Sequence, residues 1–253
     1  MWVFNVAISE ISRLTSPYAG DPEPSVDENK FTLLGFLFCP FCDRVRLTLN
    51  YHKIEYEQIL VSLYDKPEWF TNLSPSGKVP LLLNRGDRLT ESDLIMRFVD
   101  ELRGPDASLL KVCGLEKFNE AAELSSKFFK PAHTILFKPS FDEQTAAAFR
   151  EACEALCTVL KKDYFAGDQL SLADLVLFPM IDRLEVILCQ LNGQPPESVT
   201  EYKPDQSAEY PALVNYLSRL RQISWIASIR QPLRVVSMFC ASVRAGKPNL
   251  EIA

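Results

Sequence analysis

The feature of this sequence that most constrains the fold is a short apolar run that ends in a Cys-Pro-x-Cys motif. Residues 31–38 (FTLLGFLF) have the length and composition of a buried strand, and Cys39-Pro40-Phe41-Cys42 follows without a linker. Proline is tolerated in the first helical turn, because its missing N–H would have no partner there. The pattern predicts a strand leading directly into a helix, with Cys39 as the N-cap residue.

This position suggests the chemistry of Cys39. A sulfur at a helix N-terminus faces free backbone N–H groups and the positive end of the helix dipole, and both favour the nucleophilic thiolate. Cys42 lies one turn later on the same side, where it is placed to attack a mixed disulfide formed at Cys39. We therefore predict Cys39 as the catalytic residue and Cys42 as a candidate resolving thiol, with an inert Cys42 as an equally open reading.

The alternative interpretations of the cysteine pair are two packed core residues or half of a metal site. A zinc site needs a second pair of ligands, and the sequence offers neither another Cys-x-x-Cys nor a histidine pair, because its only histidines are His52 and His133. We expect no metal.

The rest of the chain separates into two regions of different character. Up to Pro105 the pattern predicts the order β-α-β-α-β-β-α, with Ser92 capping the last helix and Arg44 reaching solvent. Beyond Pro105 four segments have helical periodicity, at residues 108–133, 141–165, 171–191 and 212–229. The predicted divisions are a flexible leader at 1–29, an α/β domain at 30–104 and an all-helical domain at 105–253.

Composition excludes several classes of function. The net charge of −6 disfavours a sequence-independent nucleic-acid binder and stable association with anionic membranes. Seven cysteines in a chain of 253 residues do not form a recognisable disulfide framework, so a reducing compartment is expected. The N-terminal residues do not read as a targeting signal, and the expected location is cytoplasmic.

Several motifs together resemble the glutathione transferase superfamily, and most of all its omega class. They are Cys39-Pro40-Phe41-Cys42, residues 66–70 (KPEWF), residues 77–82 (GKVPLL) and Glu91-Ser92. In the helical half, Ser171 and Asp174 are similar to the family's capping box, in which the two residues cap a buried helix reciprocally. The resemblance covers residues 30–229.

The resemblance implies a glutathione transferase fold, in which a thioredoxin-like N-terminal domain is followed by an all-α C-terminal domain. It implies glutathione as the co-substrate, held with its sulfur near Cys39, and a homodimer. Carried over by position, Trp225 would form an aromatic wall for the second substrate, although a packed core tryptophan is equally compatible with the sequence. The residues expected to bind glutathione are Phe41, Lys66, Lys78, Val79, cis-Pro80, Glu91 and Ser92.

The expected activity is therefore glutathione-dependent thiol transfer, reducing mixed disulfides or dehydroascorbate through a glutathionylated Cys39. Two other classes stay open at this point: a chloride intracellular channel-like protein, and a non-catalytic transferase-like interaction domain. Cys42 departs from the omega pattern, which usually has a non-cysteine residue at this position, so one-thiol and two-thiol mechanisms both remain open. Asp43 adds a carboxylate that competes with the thiolate for the positive field of the helix.

Overall fold

The computed structural model describes residues 20–204 and 209–250. The chain divides into two compact units, Met1–Ser108 and Leu109–Ala253. The predicted leader lies outside the described residues up to position 19, and residues 20–29 contain neither helix nor strand.

The first unit follows the predicted order of elements. Its central strand β1 pairs in parallel with β2 and antiparallel with β3, and β3 continues antiparallel to β4, so the sheet order is β2-β1-β3-β4. The elements are β1 (Phe31–Gly35), α1 (Pro40–Tyr51), β2 (Tyr56–Leu60), α2 (Glu68–Leu73), β3 (Leu81–Asn84), β4 (Asp87–Thr90) and α3 (Ser92–Glu101).

The apolar run at β1 is explained by burial on both faces of the sheet. Successive side chains of a strand point to opposite faces, so neighbouring leucines enter different clusters. Leu33 packs with residues of α1 and α3 such as Val45 and Val99, whereas Leu34 packs with Trp69 and Phe70 of α2. A strand covered on both sides needs continuous rather than alternating apolar residues.

The strand is shorter than the apolar run. It ends at Gly35, and the following residues turn back so that the Cys39 N–H donates to the Phe36 carbonyl at 3.2 Å. Phe36 and Phe38 are nevertheless buried, because their rings pack against each other with centroids 5.8 Å apart. The run therefore supplies a strand and the apolar turn that delivers Cys39 to the helix.

The second unit contains only helices and one isolated bridge among its described residues. Gly114, with φ 74°, interrupts the first helix. The helices are α4 (Leu109–Phe137), α5 (Glu143–Val159), α6 (Leu172–Ile181), α7 (Leu184–Leu191), a 3-10 turn (Pro196–Ser198), α8 (Pro211–Arg221), α9 (Ser224–Ala227) and α10 (Leu233–Arg244).

Helix α6 is buried along its whole length, and its predicted capping box is confirmed. The Ser171 side chain and the Asp174 side chain each bond the backbone N–H of the other residue. The Asp174 carboxylate also accepts hydrogen bonds from the Phe165 N–H at 2.7 Å and the Tyr216 hydroxyl at 2.9 Å. The box thus connects the start of α6 to the preceding loop and to α8.

Helix α10 lies within the predicted all-helical domain but outside the four segments for which helical periodicity was predicted. Its buried residues include Leu233, Val236, Phe239 and Cys240, which recur at helical spacing. The same pattern was readable in residues 233–244, so a sequence signal for this helix existed. Across the described residues, no helix is long and apolar enough to cross a membrane.

Candidate active site

Cys39 occupies the predicted helix N-cap. Its backbone is extended, with φ −88° and ψ 115°, and Pro40 begins α1. The Cys39 carbonyl accepts hydrogen bonds from the N–H groups of Cys42 and Asp43, both at 3.1 Å. Cys39 is partly exposed, and as the N-cap residue it lies at the positive end of the helix.

The surroundings hold the pKa of Cys39 below the usual value of a cysteine thiol. The main cause is a hydrogen bond from the Cys42 thiol, supported by the N–H groups of Cys42 and Phe41, whereas burial and the Asp43 carboxylate oppose it. Asp43 is itself paired with Arg46, whose Nη1 lies 2.6 Å from Oδ1. Asp43 still opposes the thiolate, but the net effect of the surroundings is a lowered pKa of Cys39.

Cys42 lies directly behind Cys39 and is fully buried, with 0% of its surface exposed. Its sulfur accepts a hydrogen bond from the Phe36 N–H at 3.5 Å. Burial raises the pKa of Cys42 well above its usual value, and the hydrogen bond and charge of Cys39 raise it further, while Arg46 opposes them. The opposite shifts make Cys39 the more acidic thiol of the pair, with the Cys42 thiol as its hydrogen-bond donor.

The expectation that Arg44 reaches solvent was wrong. Only 4% of Arg44 is exposed, because its guanidinium packs inward over the Phe41 ring, 5.0 Å from the centroid. Its Nη1 donates to the Ser92 hydroxyl at 3.2 Å and to Asp93 Oδ1 at 2.8 Å. Arg44 therefore connects α1, which carries the catalytic cysteine, to the start of α3.

The Glu91-Ser92 pair begins α3 in a different way from the one predicted. Glu91, not Ser92, is the N-cap residue, and its φ of 66° is unusual for a residue with a side chain. Ser92 is the first helical residue, and its hydroxyl accepts from Arg44. Strained backbone of this kind concentrates at binding sites, which fits the predicted contact with a γ-glutamyl group.

The predicted tripeptide-binding segment precedes β3. The Val79–Pro80 peptide bond is cis, as expected. Leu81 pairs with Leu34 in the antiparallel ladder, so the preceding residue, Pro80, lies opposite Gly35. Gly35 is at the end of β1 that leads to Cys39. Val79 is half-buried and Lys78 is exposed.

The loop that carries Lys78 is closed internally. The Ser74 hydroxyl donates to the Lys78 carbonyl at 3.1 Å. The exposed Lys66 side chain lies over Gly77, where an added Cβ would come within 3.2 Å of Nζ. The positive φ of Gly77, 62°, and this close approach explain glycine at the position.

The structure thus brings the predicted residues of the first unit into two groups. Phe41 and Ser92 are joined through Arg44 beside Cys39, while Lys66, Lys78 and Val79 lie around the loop before β3. Trp225 belongs to the second unit, where it is half-buried in the short helix α9. Its role as a wall for the second substrate stays a prediction.

Two basic residues of the site were not recognised from the sequence. Arg44 and Arg46 lie on α1 beside the cysteines, and both are buried. Their spacing is the sequence signal, because Arg44 lies two residues and Arg46 four residues after Cys42, within about one helical turn of the thiol. His52 likewise acquires a partner only in the fold, with its Nε2 2.8 Å from Asp100 Oδ1. Among the described residues no group of three potential ligands is arranged to hold a metal ion.

Family models match both halves of the chain. Residues 38–102 match the glutathione S-transferase N-terminal domain, and residues 124–223 match the C-terminal domain. The pyrimidodiazepine synthase of Drosophila melanogaster is 30% identical over 241 residues, covering 92% of this chain and 94% of that protein. The glutathione S-transferase omega-1 of Sus scrofa is 33% identical over 179 residues, covering 66% of this chain and 72% of that protein.

Solved structures show the same fold. A rice glutathione transferase in complex with glutathione superposes with a TM-score of 0.68 at 20% identity, covering 87% of this chain and 99% of that one. The dehydroascorbate reductase of Chlamydomonas reinhardtii superposes with a TM-score of 0.65 at 23% identity, covering 83% of this chain and 96% of that one. With a mixed four-stranded unit, a helical unit and both family domains in place, this chain belongs to the glutathione S-transferase family.

Proposed function

We propose that this protein is a glutathione-dependent thiol transferase of the omega type, with Cys39 as its nucleophile. The observation that carries the proposal is the partly exposed Cys39 at the N-terminus of α1, with a pKa lowered by the Cys42 thiol and by two backbone N–H groups. A thiolate in this setting attacks disulfides at neutral pH. The similarity to an omega-1 transferase supports the same conclusion.

The proposed cycle begins when the Cys39 thiolate attacks the glutathione sulfur of a mixed disulfide. An S–S bond forms between Cys39 and glutathione, and the other thiolate leaves with the electron pair of the broken bond. A second glutathione then attacks the adduct, producing oxidised glutathione and restoring the Cys39 thiolate. Overall, the mixed disulfide and one free glutathione become the acceptor thiol and oxidised glutathione, so one S–S bond is broken for each one formed.

The charges around Cys39 fit glutathione as co-substrate. Arg44 places a buried cation at Ser92, next to the strained Glu91, where the γ-glutamyl group with its ammonium and carboxylate is proposed to bind. Lys66 and Lys78 supply positive charge near the loop before β3, where the glycine carboxylate is proposed to bind. A solved family member contains glutathione, which supports the proposal.

Dehydroascorbate is a second proposed acceptor, supported by the similarity to a dehydroascorbate reductase. Conjugation of glutathione to electrophiles fits the site less well, because that reaction uses a hydroxyl to stabilise the glutathione thiolate, whereas a cysteine forms a mixed disulfide with it. We also propose a homodimer, to be checked by light scattering, and a cytoplasmic location, to be checked by cell fractionation.

The test compares wild type with Cys39→Ser in the glutathione-dependent reduction of hydroxyethyl disulfide and of dehydroascorbate. Cys157→Ser is a matched control, because Cys157 is also partly exposed but burial raises its pKa. We expect Cys39→Ser to lose turnover and the glutathione adduct, and Cys157→Ser to keep both. Wild-type protein with neither adduct nor turnover would refute the enzyme and favour an interaction domain, and binding to lipid vesicles would then favour the channel-like alternative.

A further inference from the structure

Cys42 occupies a site built around its sulfur. Gly35 lies against it, and a Cβ added to Gly35 would come 3.2 Å from Cys42 Sγ and 3.5 Å from Arg46 Nη2. The Phe36 N–H donates to the sulfur from the same turn. A backbone donor and a guanidinium thus both face a fully buried thiol, an arrangement that favours negative charge on that sulfur and that an apolar packing role does not require.

Arg46 is held in place by three further contacts and is only 3% exposed. Its Nη1 pairs with Asp43 at 2.6 Å, its Nε donates to Gln58 Oε1 at 3.2 Å, and its Nη2 donates to the Phe36 carbonyl at 3.2 Å. The backbone of Phe36 therefore contacts both groups: its carbonyl accepts from Arg46, and its N–H donates to the Cys42 sulfur. The guanidinium cannot swing away from the sulfur without breaking these bonds.

The two cysteines depend on each other in a way that changes during the reaction. While Cys39 is a thiolate, it keeps the proton on Cys42 through its hydrogen bond and its charge. Once Cys39 is joined to glutathione, that negative charge is gone. Burial still raises the pKa of Cys42, but Arg46 and the Phe36 N–H remain while the charge of Cys39 is gone, so the pKa of Cys42 is lower at the step when a second nucleophile is needed.

We propose that Cys42 is the resolving thiol of this protein, activated by glutathionylation of Cys39 and stabilised by Arg46 as a positioning residue. Cys42 attacks the Cys39 sulfur, a Cys39–Cys42 disulfide forms, and the bond to glutathione breaks. The departing glutathione takes the electron pair and ends with the proton that Cys42 loses. When oxidised glutathione is the substrate, the attack by Cys39 and the attack by Cys42 together convert it into two reduced glutathione molecules, as two protein thiols become one disulfide. Two further glutathione molecules reverse this change.

This inference rests on the proposed function, because it starts from the glutathionylated Cys39. The internal disulfide would let the protein pass oxidising equivalents to a dithiol partner as well as to glutathione. It would also protect Cys39 from further oxidation when glutathione is scarce, since a disulfide resists the oxidation that a thiolate undergoes.

The first experiment exposes wild type, Cys42→Ser and Cys42→Ala to oxidised glutathione, followed by intact mass analysis and peptide mapping under alkylating, denaturing conditions. The serine keeps a hydrogen-bond donor for Cys39 but cannot form a disulfide, so it is the matched variant. We expect the Cys42→Ser adduct to persist, and wild type to release glutathione and yield a Cys39–Cys42 cross-linked peptide. A wild-type adduct that lasts as long as that of Cys42→Ser overturns the inference and leaves the proposed function intact.

If no variant forms an adduct, the proposed function itself fails, so the two failures are distinguishable. A second experiment follows the decay of the isolated adduct in Arg46→Met and Arg46→Lys, which separates the resolving step from the first attack. We expect decay to slow about tenfold or more in Arg46→Met, and the lysine to restore part of the rate. Equal decay in Arg46→Met and wild type overturns the role of Arg46.

The pH profile of that decay separates electrostatic from structural effects. Among the described residues, the charged or titratable groups acting on Cys42 are Cys39 and Arg46, while Asp43 and Tyr56 act on Arg46. Cys39 is neutral in the adduct, so losing the cation should move the midpoint of the decay to higher pH. A lower rate with an unchanged midpoint would show a purely structural role and contradict the proposal.

Discussion

Replacing Asp174 by asparagine is expected to destabilise the helical unit strongly. The carboxylate is fully buried and accepts four hydrogen bonds, two on each oxygen. Asparagine has nearly the same shape but presents an NH₂ group in place of one oxygen, so two donors lose their acceptor without any cavity being formed. At about 2 kcal/mol for each hydrogen bond to a charged group, the loss is about 4 kcal/mol.

The loss is measurable by urea unfolding followed by circular dichroism. With an m-value of about 3 kcal/mol per M, the midpoint of the transition falls by about 1.3 M. The matched control is Asp168→Asn, because Asp168 is exposed and forms a long surface ion pair with Lys162 at 3.6 Å. That exposed substitution is expected to change stability by less than about 0.5 kcal/mol.

The result that refutes this reasoning is a midpoint for Asp174→Asn that differs no more from wild type than that of Asp168→Asn. It would mean that the donors around residue 174 find other acceptors, and that the capping box contributes little to the fold. Hydrogen exchange of the Phe165 and Ser171 amides provides an independent readout, because both N–H groups bond directly to the carboxylate. Faster exchange confined to these amides would localise the effect to the start of α6.

Three other outcomes follow from the structure. Removing the single hydroxyl in Tyr216→Phe is expected to reduce the unfolding free energy by about 2 kcal/mol, roughly half the effect of Asp174→Asn, in the same urea assay. Because the pKa of Cys39 is lowered, its alkylation by iodoacetamide is expected to stay fast below the usual pKa of a thiol and to slow only as the pH falls through the pKa of Cys39. In Cys42→Ala, which lacks the thiol donor, alkylation is expected to slow at a higher pH. Arg44→Met, which removes the hydrogen bond from Arg44 to the Ser92 hydroxyl, is expected to raise the KM for glutathione about tenfold with a smaller change in kcat, as steady-state kinetics would show. An unchanged KM would remove Arg44 from the glutathione site.

The elements of the first unit were predictable because their signals are local. Pro40 in the first turn marks the start of α1, and the Arg85-Gly86 turn, with φ values of 48° and 86°, separates β3 from β4 as the hairpin pattern indicates. The capping box was equally readable, because its partners are three residues apart. Helix α10 lies outside the segments with predicted helical periodicity, although the spacing of its buried residues is equally regular.

The site was predictable only in part. Cys39 and its N-terminal position on a helix follow from residues that are neighbours in the chain. The inward orientation of Arg44 does not, because its partner Ser92 is 48 residues away and meets it only when α1 and α3 pack on the same face of the sheet. The local sequence around Arg44 predicts an exposed side chain, and this prediction was wrong because the packing of α3 against α1 buries the guanidinium.

The sequence by itself determined the strand-to-helix junction, the nucleophile, the helical second half and the family. These depend on periodicity, on capping residues and on motif spacing, all of which are properties of short segments. Only the tertiary structure decided which charges surround the sulfur. Arg46 and the Phe36 N–H at Cys42, Arg44 at Ser92 and Asp100 at His52 are brought together by burial. Buried polar groups must find partners wherever the packed chain provides them, and those partners are set by the topology of the fold rather than by local sequence.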